Sequence, residues 1–394
     1  MDRLKLEAVT VSGRPGRIDI VVEDGHIKTV TPSNGGDGGL VTPLLADAHV
    51  HLDKTYTVER LNGRANSLFD AIALMEEDMR QWTADDIRSR AGRALEAAYL
   101  NGVTALRSHV DWPEPAAPIA WPVLNELKQE WRGRIELQLA ALVPADILPD
   151  AGERIAERVH RDEGVFGAFF YRNAELPSKV EMAFRLAHRH DLPLDFHVDE
   201  GLDIEADGFS EIVAATRRAH MAGRVLCGHG CSLSLHDDER LARTLAAGAE
   251  AGVALVALPT TNLYLQDRNG GRSPRRRGVA PVLEARNAGV EVMLGVDNCC
   301  DAFYPFGDYD PLAILRLAVL ACHVDPRDWL DSVTALPAAH CGLPMAPIAV
   351  GERADFIWFD AADLSDLVSR PNAERIVYRQ GRKLGQAPRR RRPA

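Results

Sequence analysis

Apolar positions along the chain follow two rhythms. At the N-terminus LEAVTV and RIDIVVEDGHIKTV alternate apolar and polar residues with a period of two. Asp24-Gly25 lies between alternating runs as a hairpin turn, and a glycine-rich loop, SNGGDGG, comes next. Near the C-terminus ERADFIWFD and ERIVYRQGRKL alternate in the same way and turn at Gly381. Two β-rich ends around a long middle predict a small β-sandwich assembled from residues 1–43 and 347–385, a discontinuous domain. Residues 386–394, with the run Arg389 to Arg392, are expected to form a basic, disordered tail.

The middle, residues 44–346, repeats a different unit. Strand-like apolar runs (GLVTPLLADAHVH, GVTALRSHVD, RIELQLAALVP, GVFGAFFY, LPLDFHVDE, RVLCGHGCS, GVALVALPTT, GVEVMLGVDN) alternate with segments such as SLFDAIALMEEDMRQW and EMAFRLAHRHD. In those segments apolar residues recur at three and four, the helical spacing. Eight such strands fit an α/β fold of the (β/α)8 TIM-barrel type, although alternation alone also allows a doubly wound open sheet. The reactive residues discriminate between the two. His49 and His51 end the first run, His109 and Asp111 the second, His197 the fifth, His229 the sixth and Asp297 the eighth. A barrel gathers those ends at one mouth, whereas an open sheet strings them along a line.

The stretch LLADAHVHLDKTYT contains His-x-His, which on a strand projects two imidazoles from one face about 7 Å apart. With His197 and Asp297 they make a set of three imidazoles and one carboxylate, suited to Zn²⁺ or Fe²⁺ and poorly suited to Ca²⁺ or Mg²⁺. A divalent ion with an open position lowers the pKa of its water from about 15.7 towards 7. Glu200, three residues beyond His197 where strand gives way to loop, is placed to protonate a substrate ring nitrogen and deliver a proton to the departing group. Asp297 is the expected first base, and His229 is expected to hydrogen-bond the hydroxide and stabilise the tetrahedral state.

Composition narrows the partners. A net charge of −11 argues against general affinity for nucleic acid or an anionic membrane, so a small molecule is the expected partner, with a homo-oligomer possible. The chain has neither a signal-peptide pattern nor a run of eighteen apolar residues, which reads as cytoplasmic. Its six cysteines form no paired C-x-x-C motif and are expected to be reduced thiols.

Taken in order, VTPLLADAHVHLDKTYT, SLF (Ser67 to Phe69), RSHVD, DFHVDE, CGH, LPTTNLYLQDR, RRRGV and GVDNCCDAFYPFG resemble the amidohydrolase superfamily, and within it the cytosine deaminase-like branch. The resemblance implies His49, His51, His197 and Asp297 as metal ligands, Glu200 and His229 as catalytic groups, and a single iron or zinc ion. Binuclear relatives carry a lysine at the end of strand four, and GAFFYRNAE offers none. Two departures move the expected substrate away from cytosine. Pro144 stands where the cytosine-specific pattern has an amide-reading glutamine, and Asn298 where it has a second aspartate. Leu68, Pro144 with Val143, Asn298, Phe303 and Tyr304 are then the expected substrate contacts, forming an apolar wall and an aromatic cover. The expected activity is metal-dependent, deaminase-type hydrolysis of a C–N bond in a small nitrogen heterocycle. Ring-opening hydrolysis of a cyclic amide, or metal or ligand binding without turnover, are the alternatives.

Overall fold

The computed structural model describes residues 3–385, so the expected tail at 386–394 lies outside the described residues. Four strands precede the barrel: β1 (Arg3–Val11), β2 (Arg17–Glu23), β3 (His26–Pro32) and β4 (Leu40–Pro43). Eight form it: β5 (Leu45–Val50), β6 (Val103–Asp111), β7 (Glu136–Pro144), β8 (Val165–Phe170), β9 (Leu194–Val198), β10 (Val225–His229), β11 (Val253–Ala257) and β12 (Val292–Leu294). Three follow: β13 (Phe356–Phe359), β14 (Arg375–Arg379) and β15 (Arg382–Lys383).

In the eight-stranded sheet each strand runs parallel to the next, in chain order from β5 to β12. Strands β5, β9, β10 and β11 are buried along their whole length, as expected of a parallel sheet covered on both faces. The ring closes at a parallel bridge between Val50 and Asp297, where the Asp297 amide donates to the His49 carbonyl at 2.9 Å. Asp47 stitches the same seam, its two oxygens accepting the amides of His49 (2.9 Å) and Val296 (2.8 Å). The strand–helix alternation is therefore a closed barrel. Its first helix, Leu68–Met79, begins at Ser67, whose hydroxyl accepts the Asp70 amide.

The remaining strands form one seven-stranded sheet, in the order β15-β14-β13-β4-β1-β2-β3. Both ends of the chain contribute, as the alternation predicts. The hydrogen bonding is continuous through β4, and Val9, Ile20, Val22, Ile27, Val41 and Phe356 belong to a buried cluster of the sheet's own. Both hairpin signals hold: Asp24-Gly25 and Gln380-Gly381 all have positive φ, the requirement of a tight two-residue turn. The sheet is fastened to the barrel by Arg379, which donates to the Val103 carbonyl (2.7 Å), and by the Arg375–Asp310 ion pair (2.8 Å). All six cysteines are free. Among the described residues no helix is long and apolar enough to cross a membrane.

Candidate active site

The strand ends converge as a barrel requires. The His49 and His197 Nε2 atoms are 3.2 Å apart, as are those of His197 and His51, and Asp297 Oδ1 lies 3.2 Å from His51 Nε2 and 3.6 Å from His49 Nε2. An ion held tetrahedrally at about 2.0–2.1 Å from each donor sets its ligands about 3.3 Å apart, close to these four spacings, and His49, His51 and Asp297 together form one metal-capable group. Both Asp297 oxygens are buried without a hydrogen-bond partner, a cost for a carboxylate that a cation removes. Burial first, and then the crowding of imidazoles around His49 and His197 and the Lys54 ammonium near His51, hold the three rings well below the ordinary histidine pKa, so they are neutral and ready to donate lone pairs. The residues fit one divalent transition metal.

His109, at the same mouth, stacks on His49 (ring centroids 4.0 Å apart) and lies 4.7 Å from His197. His49, His109 and His197 form a second metal-capable group overlapping the first, but one without a carboxylate. Deeper in the barrel, Arg107 of β6 reaches Asp195 of β9 at 2.7 Å, and His109 Nε2 is 3.6 Å from Asp195. The backbone is forced to make room here. His229 and Asp297 have φ of 70° and 63°, left-handed values rare outside glycine that tend to cluster at working sites. At Gly228 a Cβ would come within 2.8 Å of the His49 ring, which accounts for the glycine in CGH.

Glu200 and His229 sit together, Oε1 to Nδ1 at 3.5 Å, and both line the cavity. Burial, and then the nearby Asp297 charge, raise the Glu200 carboxyl well above its usual range. Burial pushes His229 down to about 4 against the pull of Asp297. The Asn262 amide donates to His229 Nδ1 at 3.0 Å, which assigns the imidazole proton to Nε2, a buried nitrogen with no other partner. Gln266 donates to the Glu200 carbonyl and pins the strand-to-loop junction. One end of the site can thus hold a carboxyl proton, and the other presents an N–H donor.

The cavity encloses about 760 Å³ including its open mouth. Leu68, Pro144, Asn298 and Phe303 all line it, beside Ile72, Met75 and Met79 from the first barrel helix. Two expected contacts are corrected. Val143 is fully buried and absent from the lining, because adjacent strand residues face opposite ways and Leu142 and Pro144 take the cavity side. Tyr304 is also absent from the lining, its ring meeting Tyr264 (5.6 Å) and Phe306 (5.7 Å) instead. Asn298 donates its amide to Asp301 (2.8 Å), so half of its expected reading capacity is engaged within the protein. Sequence reasoning assigned no role to Lys54, Asp111, Asn262 or Gln266, although Lys54 stands in LDKTYT and the last two in LPTTNLYLQDR.

Comparison with known proteins agrees with this geometry. Residues 150–383 match the model of the Amidohydrolase family. The chain is 37% identical over 397 aligned positions to a pterin deaminase of Rhizobium rhizogenes, covering 95% of this chain and 91% of that one. Among solved structures, 5-methylcytosine deaminase from Klebsiella pneumoniae, liganded with 5-fluorocytosine, superposes with a TM-score of 0.87 at 26% identity, covering 99% of each chain. N-isopropylammelide isopropylaminohydrolase from Burkholderia multivorans follows at a TM-score of 0.78 and 24% identity, covering 97% and 98%. The chain belongs to the amidohydrolase family, in its deaminase branch, the hydrolases of carbon–nitrogen bonds outside peptides.

Proposed function

We propose that the protein deaminates a pterin-type heterocycle, replacing an exocyclic amino group by oxygen from water and releasing ammonia. The observation that carries this reading is the 37% identity to a pterin deaminase over nearly the whole chain, together with a cavity in which Glu200 and His229 share the lining with apolar Leu68, Ile72, Met75 and Met79, a surface suited to a flat ring system. Pro144 offers no amide to read a pyrimidine, which moves the preference away from cytosine.

His49, His51, His197 and Asp297 would hold one zinc or iron ion, which when bound acts as a Lewis acid and makes water nucleophilic at neutral pH. Glu200, kept protonated by burial, gives its proton to the ring nitrogen next to the carbon under attack. His229 Nε2–H donates to the oxygen added to that carbon and steadies the tetrahedral state. Asp297, the first base, takes a proton from the attacking water, and the emptied Glu200 carboxylate relays it to the amino group, which leaves as ammonia. The remaining hydroxyl proton returns to Glu200 as the C=O forms. Phe303 at the cavity wall excludes water from the ring face.

The test is an ammonia-release assay with pterin, cytosine, 5-methylcytosine and amino-triazines, together with metal analysis. About one transition metal per chain is expected, with pterin the best substrate. His197→Ala should lower occupancy and activity together. Cytosine as the best substrate by a wide margin would overturn the substrate reading, and full activity in metal-stripped protein would overturn the metal reading.

A further inference from the structure

Lys54 is a lysine where lysines are seldom found. Its side chain is only 3% exposed, yet it lines the substrate cavity three residues past His51. Its partner is Asp111, whose two oxygens each lie 2.7 Å from Nζ, and the Phe303 ring centroid is 5.0 Å away. The loop that carries it is tied down on both sides. Arg90 donates to the carbonyls of Asp53 (2.7 Å) and Thr55 (2.8 Å) on either side, and the Asp53 carboxylate accepts the amides of Lys54 and Asp111, both at 2.9 Å. Burial works against the ammonium, but Asp111, Asp53 and Asp301 more than offset it, so Lys54 stays charged at any physiological pH.

An ammonium has three N–H donors, and a single carboxylate engages at most two of them. At least one donor is left for the cavity. Asp111 also lines the cavity and keeps unused lone pairs, so an N–H donor and an oxygen acceptor stand side by side on one wall. That pairing complements a ring lactam, a C=O next to an N–H. Pro144 and Asn298 line the same cavity, but Pro144 has no side-chain hydrogen-bonding group and Asn298 has already given its amide to Asp301.

We propose that Lys54 and Asp111 are the specificity-determining pair of the site, Lys54 donating to the ring oxo group and Asp111 accepting from the adjacent ring N–H. The substrate class narrows to amino heterocycles that carry a lactam, as 2-amino-4-oxopteridine does. This inference rests on the deaminase reading above. Because both readers are anchored to strands that also carry the site (β5 leading into Lys54, β6 ending at Asp111), the lactam is held at a fixed distance from the amino group to be lost.

The experiment compares pterin with 2-aminopteridine, which lacks the oxo group, on the full-length holoprotein. A site built to hydrogen-bond a group rejects the analogue without it, so wild-type kcat/KM should favour pterin by about 10²-fold or more. Lys54→Met should bring pterin down towards 2-aminopteridine while 2-aminopteridine changes little and metal content is unchanged, and Lys54→Arg should recover part of the preference. Equal wild-type kcat/KM for the two rings overturns the inference without any variant. An equal loss on both rings in Lys54→Met also overturns it, since that is what a merely structural lysine gives. Should neither ring release ammonia, the deaminase reading fails, and fluorescence titration of the same two rings decides. Tighter binding of pterin, lost in Lys54→Met, upholds the pair, and equal binding overturns it.

Discussion

Glu200 and His229 divide the proton work because one burial effect acts on opposite charges. A carboxyl in a dry site keeps its proton and an imidazole loses its own, so at neutral pH the pair presents an acid and an N–H donor side by side. Glu200→Gln preserves the shape and the hydrogen bonding but removes the transferable proton. Turnover should then fall by roughly 10²-fold or more while the metal stays bound, which steady-state kinetics with metal analysis checks. A variant with near-normal turnover would remove Glu200 from the mechanism. These residues are legible in the sequence because His229 ends a strand and Glu200 lies just past the end of another, where position in the repeat already specifies the mouth of the barrel. Lys54, Asn262 and Gln266 are not. Their meaning depends on Asp111, His229 and Glu200, partners between 33 and 66 residues away that only the closed ring brings within reach. Asn298 shows the converse, a residue that lines the cavity as expected but whose amide is taken by Asp301, a neighbour three residues on to which the sequence analysis gave no role.

At the level of strands, the cross-barrel pair Arg107–Asp195 is the least expected feature. Alternation along RSHVD and LPLDFHVDE predicts that Arg107 and Asp195 share the inward face with His109 and His197, two residues further on. What it does not reveal is that β6 and β9 face each other across the barrel interior. Both partners are buried, and burial raises Asp195 to about 7 against the pull of Arg107. Removing one partner of such a pair leaves an uncompensated charge, at a cost of about 3–5 kcal/mol, whereas replacing both with apolar side chains is often close to neutral. Arg107→Met should therefore destabilise strongly in chemical denaturation, and Arg107→Met with Asp195→Leu should recover most of the loss. If the double variant is as unstable as the single one, the pair is needed to order the barrel rather than to neutralise itself. The eight strands and their order were legible from periodicity, while the point of closure was not, since β12 stops at Leu294 and the seam is made by Asp47 and by the Asp297 amide instead.

For the molecule as a whole, the buried titratable groups add up to a pH profile. His49, His51, His109, His197 and His229 stay neutral when folded, so the unfolded chain binds more protons below about pH 6.5, and these groups add stability as pH rises to that point. Asp47, pushed up to about 8 by burial, and Asp195 and Asp301, pushed to about 7, act oppositely. There the folded chain binds more protons, and stability falls as pH rises through each folded pKa. The two sets offset one another in mild acid, and above about pH 6.5 the carboxylates prevail, joined towards pH 8 by buried cysteines such as Cys227 and Cys231 whose thiols burial also raises. The melting temperature of metal-stripped protein should change little from pH 5 to 6.5 and fall towards pH 8, with a shallower fall in Asp47→Asn. A melting temperature that climbs from pH 6.5 to 8 would contradict this account. The position of β4 matters in another way, during synthesis. It is paired on one side by β1 and on the other by β13, roughly 310 residues later. At about 5–20 residues per second on the ribosome, an apolar strand edge waits roughly 15–60 s for its second neighbour. During that interval β1 to β4 present an open edge able to join another nascent chain, and slowing or stalling translation within the barrel lengthens the exposure. The yield of folded protein is then a matter of timing as much as of stability: faster delivery of Phe356–Phe359, or a chaperone held on the early strands, protects it.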